Sequence, residues 1–279
     1  MTALELLDLA VPVAPPSPAQ RPRRSIRKLL EPLFRRVADA STHWRAESAG
    51  FWRDGEERYW MPRLIFQRPR EEATFKIGIF AGIHGDEPAG VHALCDFVEA
   101  LEGLSPMARQ YAIHVYPLCN PTGYEDGTRH SRSGKDLNRE FWHGSLESEV
   151  QILEREILAE KYHGFIALHS DDTSDGLYGF ARGALLTKEL LQPALTVAEE
   201  ALPVNQSAII DGFHAQQGII HTAYDGILSA PPGTRPDPFE IILESPALAP
   251  LHLQRASFVL ALVEILRHYR RLMAYGAEL

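Results

Sequence analysis

At 279 residues, with 45% hydrophobic and 23% charged side chains, the chain has the size and composition of a globular α/β domain with a sizeable core. The net charge of −9, with eight basic against four acidic residues within 1–45, leaves an acidic body that argues against nucleic acid as a partner. Apolar runs of only a few residues exclude a bilayer span, residues 1–10 lack the basic start of a secretory signal, and two cysteines make no disulfide framework, so the expected compartment is the cytoplasm.

In chain order, "VPVAPPSPAQRP" (11–22) reads as an extended proline-rich arm, and the expected organisation is an arm over 1–24 followed by one domain over 25–279. "RPRRSIRKLLEPLFRRV" is a basic amphipathic pattern, and Ser25 caps a helix to about residue 40. "RYWMPRLIFQ" and "TFKIGIFAGI" read as strands, the second buried on both faces. Helical spacing returns over 87–101, with Pro88 in the first turn. "YAIHVYPLCNP" is a strand running into a turn, and "TGYEDGTRHSRSGKDLNREF" reads as a polar loop. A charged helix over 146–163, the buried strand "GFIALHS" and a helix over 185–202 follow. Strands are expected around "GIIHTAYDGI" and "FEIILES", and a final helix over 251–275. This alternation predicts a three-layer α/β/α sandwich around a mixed, mostly parallel central sheet.

Ligands of open α/β sheets bind at the carboxyl ends of strands. The polar residues expected there are His84 and Glu87 after one strand, Asn120 after another, His169 after a third and Glu244 in a fourth. Singly each has a bland explanation: a hydrogen-bonded structural histidine, or a glutamate capping a helix. Together they offer more. A catalytic zinc takes three protein ligands, His2Glu among the standard sets, and keeps a fourth position open. His84 and Glu87, three apart across a glycine-framed turn in "IFAGIHGDEPAG", can reach one ion, and His169 is the natural third ligand. Glu244 is then a carboxylate near the metal and not on it, as a general base requires.

"HGDE", "TRHSRSGKDLNR", "LHS" and "ILES", in that order over about 74–246, resemble the M14 zinc carboxypeptidases and the related aspartoacylases and succinylglutamate desuccinylases. The resemblance implies a zinc carboxypeptidase-like (phosphorylase/hydrolase-like) fold. It makes His84, Glu87 and His169 the ligands of one zinc ion and Glu244 the catalytic base. It further implies that Arg129 polarises the scissile carbonyl, with Arg132 as an alternative for that position, and that Asn138 and Arg139 grip a substrate carboxylate. Tyr224 matches the tyrosine that closes over substrate, with Tyr178 behind it. His221 and a second metal stay open, and the acidic "SDDTSDG" after His169 departs from the family pattern; it forms an Asx turn or shapes specificity.

The implied activity is zinc-dependent hydrolysis of an amide bond next to a free C-terminal carboxylate, on a peptide or N-acyl amino acid substrate, with no nucleic-acid or membrane partner. The competing readings are an N-acyl amino acid deacylase and a non-catalytic zinc-binding relative. Deacylase relatives carry a further C-terminal β-rich domain, and the mostly helical stretch after Glu244 leaves no room for one, which favours the peptidase. Asp225, Ser229 or Asp237 are candidate specificity residues.

Overall fold

The computed structural model describes residues 3–7, 23–39, 43–68, 75–103, 108, 110–184 and 187–276. Two helices come first, α1 (Ala3–Leu7) and α2 (Ile26–Asp39). Leu6 and Leu7 of α1 are buried in the main core, although this stretch is expected from the sequence to belong to an arm; the proline-rich part of that arm, 11–22, lies outside the described residues. Ser25 caps α2 by accepting from the Lys28 N–H at 3.2 Å. Ile26, Leu29, Leu30, Leu33, Phe34 and Val37 form its buried stripe, and the basic residues take the other face.

The strands β1 (Trp44–Asp54), β2 (Glu57–Gln67) and β3 (Phe75–Ala81) lead to α3 (Ala89–Gly103) and β4 (Tyr111–Tyr116). A short helix α4 (Pro121–Asp126) and a 3-10 turn (Leu137–Arg139) lie within the stretch that reads as a structureless loop. Then come α5 (Ser148–Glu160), β5 (Gly164–Asp171), β6 (Tyr178–Gly183), α6 (Thr187–Ala198), the short strands β7 (Ile209–Ile210), β8 (Phe213–Gln216) and β9 (Ile219–Ile220), β10 (Phe239–Pro246) and α7 (Leu251–Gly276).

The strand order is β1-β2-β4-β3-β5-β10-β6-β9-β8-β7. The four central strands β4, β3, β5 and β10 run parallel, and antiparallel strands flank them. Alternation along each strand feeds two cores. Ile77, Ile79, Ile166, Leu168, Ile241 and Leu243 pack against α2, α3, α6 and α7. Phe80 and Phe165 face the other way, against Val150, Leu153 and Ile157 of α5. The architecture is a mixed sheet with mostly parallel central strands flanked by helices, as the element alternation predicts.

Three local expectations differ. The helix after β3 begins at Ala89, not at Glu87, because residues 84–88 form the turn that presents Glu87. The strand expected around "GIIHTAYDGI" shrinks to Ile219–Ile220, so Tyr224 sits on an irregular segment where Asp225-Gly226 breaks pairing. The hairpin strand β1 is not among the expected strands, because its edge position leaves charged residues along both faces. Among the described residues no helix is long and apolar enough to cross a membrane.

Candidate active site

The site lies at the carboxyl ends of β3, β5 and β10. At the end of β3 the chain turns sharply. Gly82 has φ +61°, and a Cβ on Gly85 would meet the Gly123 and Tyr124 backbone at about 2 Å, so neither position accepts a side chain. This turn aims His84 and Glu87 toward β5. His169 and Glu244 are register partners across the parallel pair β5–β10, so they stand side by side on one face.

His84, Glu87 and His169 are buried, and one donor atom from each falls within 4.8 Å of the others; they form the one such group among the described residues. Glu87 Oε1 is 2.7 Å from His84 Nδ1, and Oε2 is 3.0 Å from His169 Nδ1. The two Nδ1 atoms face each other at 3.2 Å. Two imidazole nitrogens and a carboxylate converging this closely are compatible with binding a cation, and the donor types suit a divalent metal. The other side of His84 is also fixed: Nε2 lies 3.2 Å from Asp136 Oδ1. Metal-binding histidines are commonly oriented in this way by a carboxylate.

The charges set the titration of the group. Burial opposes ionisation of Glu87, yet His169 and His84 hold its carboxyl well below the ordinary value. Burial likewise opposes protonation of His84, but Asp136 and Glu87 raise it, whereas burial prevails at His169 and lowers it. Burial pushes the Glu244 carboxyl well above its usual range, aided by the negative charges of Glu87, Asp171 and Asp211. A carboxyl so displaced is suited to exchanging protons.

A cleft of about 450 Å³ opens over this group. Its walls include Arg129, Asn138, Arg139, Tyr224 and Glu244, so the three donors and the five residues assigned to catalysis and substrate binding share one cavity. Arg129 donates through Nε to Asp136 at 3.0 Å and places Nη1 at 3.4 Å from Glu87. Arg132 does not reach the cleft: it is tied to Asp54, Glu57, Glu125 and Asp126, which removes it as the alternative to Arg129. Asn138 Oδ1 accepts the Leu228 N–H at 2.9 Å, leaving its amide N–H groups as the donors it can offer. The Arg139 guanidinium lies 4.0 Å over the Tyr224 ring, and the Tyr224 hydroxyl donates to Asp211 at 3.0 Å. Tyr178 is fully buried on β6, donating to Asp171 at 2.9 Å, and is not placed to swing. Asp171 also closes the Asx turn, accepting the Thr173 N–H at 2.7 Å. His221 is exposed and does not line the cleft. Asn120 stands behind the cleft as the cap of α4, also donating to Ile83 O and Arg129 O.

Three contributors escape a reading of the sequence. Asp136 orients both His84 and Arg129; its place in "DLNR" is a usable signal, because a ligand histidine calls for a carboxylate partner. The Ser170 N–H donates to Glu87 Oε2 at 3.0 Å. Ser170, Ser245 and Gln254 form a buried hydrogen-bonded cluster directly behind His169 and Glu244. Asp225, Ser229 and Asp237 line not this cleft but an adjoining one of about 340 Å³.

Residues 73–206 match the model of the succinylglutamate desuccinylase/aspartoacylase catalytic-domain family. No curated protein matches the chain. Among solved structures, a candidate metallopeptidase from Shewanella denitrificans OS217 is similar over 90% of this chain and 98% of its own, at 18% identity and a TM-score of 0.70. A metallo-carboxypeptidase from Burkholderia cenocepacia is similar over 90% of this chain and 70% of its own, at 18% identity and a TM-score of 0.69. A metallo-carboxypeptidase from Pseudomonas aeruginosa, in complex with (2-guanidinoethylmercapto)succinic acid, is similar over 88% of this chain and 70% of its own, at 16% identity and a TM-score of 0.60. At these identities the solved structures speak to the fold, and the family match speaks to the segment that carries His84, Glu87, Arg129, Asp136, Asn138, Arg139 and His169. The family match thus covers just under half of the chain, and the metallo-carboxypeptidases share its fold.

Proposed function

We propose that the protein is a zinc-dependent carboxypeptidase, hydrolysing the amide bond next to a substrate's free carboxylate. The observation that carries this reading is the convergence in one cleft of the His84–Glu87–His169 donor set, the in-register Glu244 and the arginine pair Arg129 and Arg139. One zinc ion held by the three donors would supply Lewis acidity toward a carbonyl oxygen and toward water.

The chain's own residues do the rest. Glu244 takes a proton from the attacking water and passes it to the leaving nitrogen; its raised proton affinity suits both transfers. Arg129, held by Asp136 at the cleft wall, donates to the oxyanion that develops on the scissile carbonyl. Arg139 and the Asn138 amide receive the substrate carboxylate, and the Tyr224 ring under the guanidinium keeps the arginine in place. That anchor sets the register, so cleavage falls at the terminal bond. The substituted succinic acid bound to the Pseudomonas enzyme supports a carboxylate-bearing ligand for this class of cleft.

A second reading, an N-acyl amino acid deacylase, is favoured by the family match over residues 73–206. It uses the same base, oxyanion donor and carboxylate anchor and differs in what precedes the scissile bond. The test is a panel of peptides and N-acyl amino acids incubated with zinc-loaded protein, with products read by mass spectrometry. Release of single C-terminal residues supports the carboxypeptidase, cleavage confined to N-acyl amino acids supports the deacylase, and no product from either set contradicts both.

A further inference from the structure

The sheet continues past β6 through β9 and β8 to β7, and the turn between β7 and β8 reaches the catalytic cleft. Ile210 and Phe213 pair across that turn, and between them Asp211 and Gly212 both take positive φ, +50° and +77°. A two-residue turn of this kind matches the twist of a hairpin, and aspartate followed by glycine is a favoured sequence for it. The turn sets Asp211 in the cleft wall, where it is neither metal donor, base nor carboxylate anchor.

What Asp211 does hold is Tyr224. The tyrosine hydroxyl is shared between Asp211 Oδ1 at 3.0 Å and the Asp211 carbonyl oxygen at 3.3 Å. Phe213, next along the hairpin, meets the Tyr224 ring edge to face at 4.9 Å and in turn meets Phe180 of β6 at 6.0 Å. The other partner of the Tyr224 ring is the Arg139 guanidinium, 4.0 Å from its centroid. Below the ring, the segment of Tyr224 is clamped to that of Arg139. A Cβ on Gly226 would meet Arg139 O at 2.3 Å, and the Phe141 N–H donates to Gly226 O at 3.0 Å. Carboxylate, hydroxyl, ring and guanidinium thus form one chain of contacts from the hairpin to the anchor. A phenol that donates to a carboxylate is polarised toward its ring, which strengthens the hold of the ring on a cation.

This inference rests on the reading of Arg139 as the anchor of the substrate carboxylate. We propose that Asp211 is a positioning residue for that anchor: it holds Tyr224, and through the Tyr224 ring it holds the Arg139 guanidinium ready for the carboxylate. Asp211 acts before the chemical step and through another side chain. An arginine already fixed when substrate arrives loses less conformational freedom on binding, so the benefit falls on KM and not on kcat. Without the carboxylate, tyrosine and arginine turn more freely, and the anchor is ordered only at the expense of binding energy.

The test is steady-state kinetics of zinc-loaded protein on one peptide, as the free acid and as the C-terminal amide. Asp211→Gly removes the carboxylate and keeps a residue suited to positive φ, so the turn survives. It is expected to raise KM on the acid by about 3-fold to 10-fold, to keep kcat within about twofold and to leave KM on the amide unchanged. Asp211→Asn keeps an acceptor oxygen and tolerates the left-handed turn, and is expected to restore KM. In a Tyr224→Phe background, Asp211→Gly should change KM no further, because the hydroxyl that transmits the effect is gone. Wild-type KM in Asp211→Gly, an equal rise on acid and amide, or a full rise in the Tyr224→Phe background overturns the proposal. Equal kcat/KM of the wild type on acid and amide fails the anchor reading itself, and the proposal with it. If neither form is cleaved, the hydrolase reading fails separately, and calorimetric titration with N-acetyl-alanine and its amide judges Asp211. Weaker binding of the acid in Asp211→Gly that returns in Asp211→Asn sustains the proposal; equal affinities, or no binding, in all three proteins overturn it.

Discussion

Glu244 and Asp136 act on the site in different ways, and single substitutions separate them. Glu244 offers no donor atom to the His84–Glu87–His169 group, so Glu244→Gln should keep the metal and lose turnover. General-base catalysis sets the expected loss at about 10²–10⁴-fold in kcat. Metal analysis beside steady-state kinetics checks this, and near-normal turnover would remove Glu244 from the mechanism. Asp136 touches the imidazole of His84 and not the reacting atoms. Asp136→Ala should weaken metal affinity by about 10–100-fold, measured by competition with a chromogenic chelator. Unchanged affinity would mean that His84 is oriented without it. At this scale the sequence is uneven evidence. The three donors are legible because histidine and glutamate at strand ends have few other uses in combination. The preference for Arg129 over Arg132 rests in the sequence on motif order alone, since only folding shows Arg132 enclosed by four carboxylates.

Strands β5 and β10 and helix α7 are joined behind the site by hydrogen bonds that core packing does not need. Ser170 and Ser245 follow His169 and Glu244, pair in register, and meet at 3.0 Å between their hydroxyls. Gln254, in the first turn of α7, accepts from Ser245 at 2.9 Å and donates to Ala249 O at 2.7 Å and Ala247 O at 3.2 Å. The cluster ties the ends of both strands to the helix that follows them, and so fixes Glu244 against His169. Gln254→Leu leaves buried groups without partners, each costing about 1–3 kcal/mol. It should lower thermal stability and also lower kcat, with KM and metal content retained. A stability loss with kcat intact would reduce Gln254 to a structural role. Such a cluster cannot be read from spacing, because its members lie 75 or more residues apart except for Ser245 and Gln254. The helices are legible from their periodic apolar residues, as in α2. The two-residue strands β7 and β9 are not, since a pattern of period two has no meaning over two residues.

For the molecule as a whole, the sandwich follows from strands that are apolar on both faces and alternate with helices, and the position of the cleft follows from where those strands end. Peptide and N-acyl amino acid substrates share the carboxylate that Arg139 and Asn138 are proposed to hold, so the anchor is the claim on which both readings depend. A guanidinium left facing an uncharged amide loses a charge-assisted hydrogen bond worth about 1.5–3 kcal/mol. The most direct measurement is therefore kcat/KM of zinc-loaded protein on one peptide presented as the free acid and as the C-terminal amide, with the cleaved bond identified by mass spectrometry. The account predicts removal of the terminal residue and a preference for the acid of about 10-fold to 100-fold. Equal cleavage of the amide, or products cut at internal bonds, would contradict it.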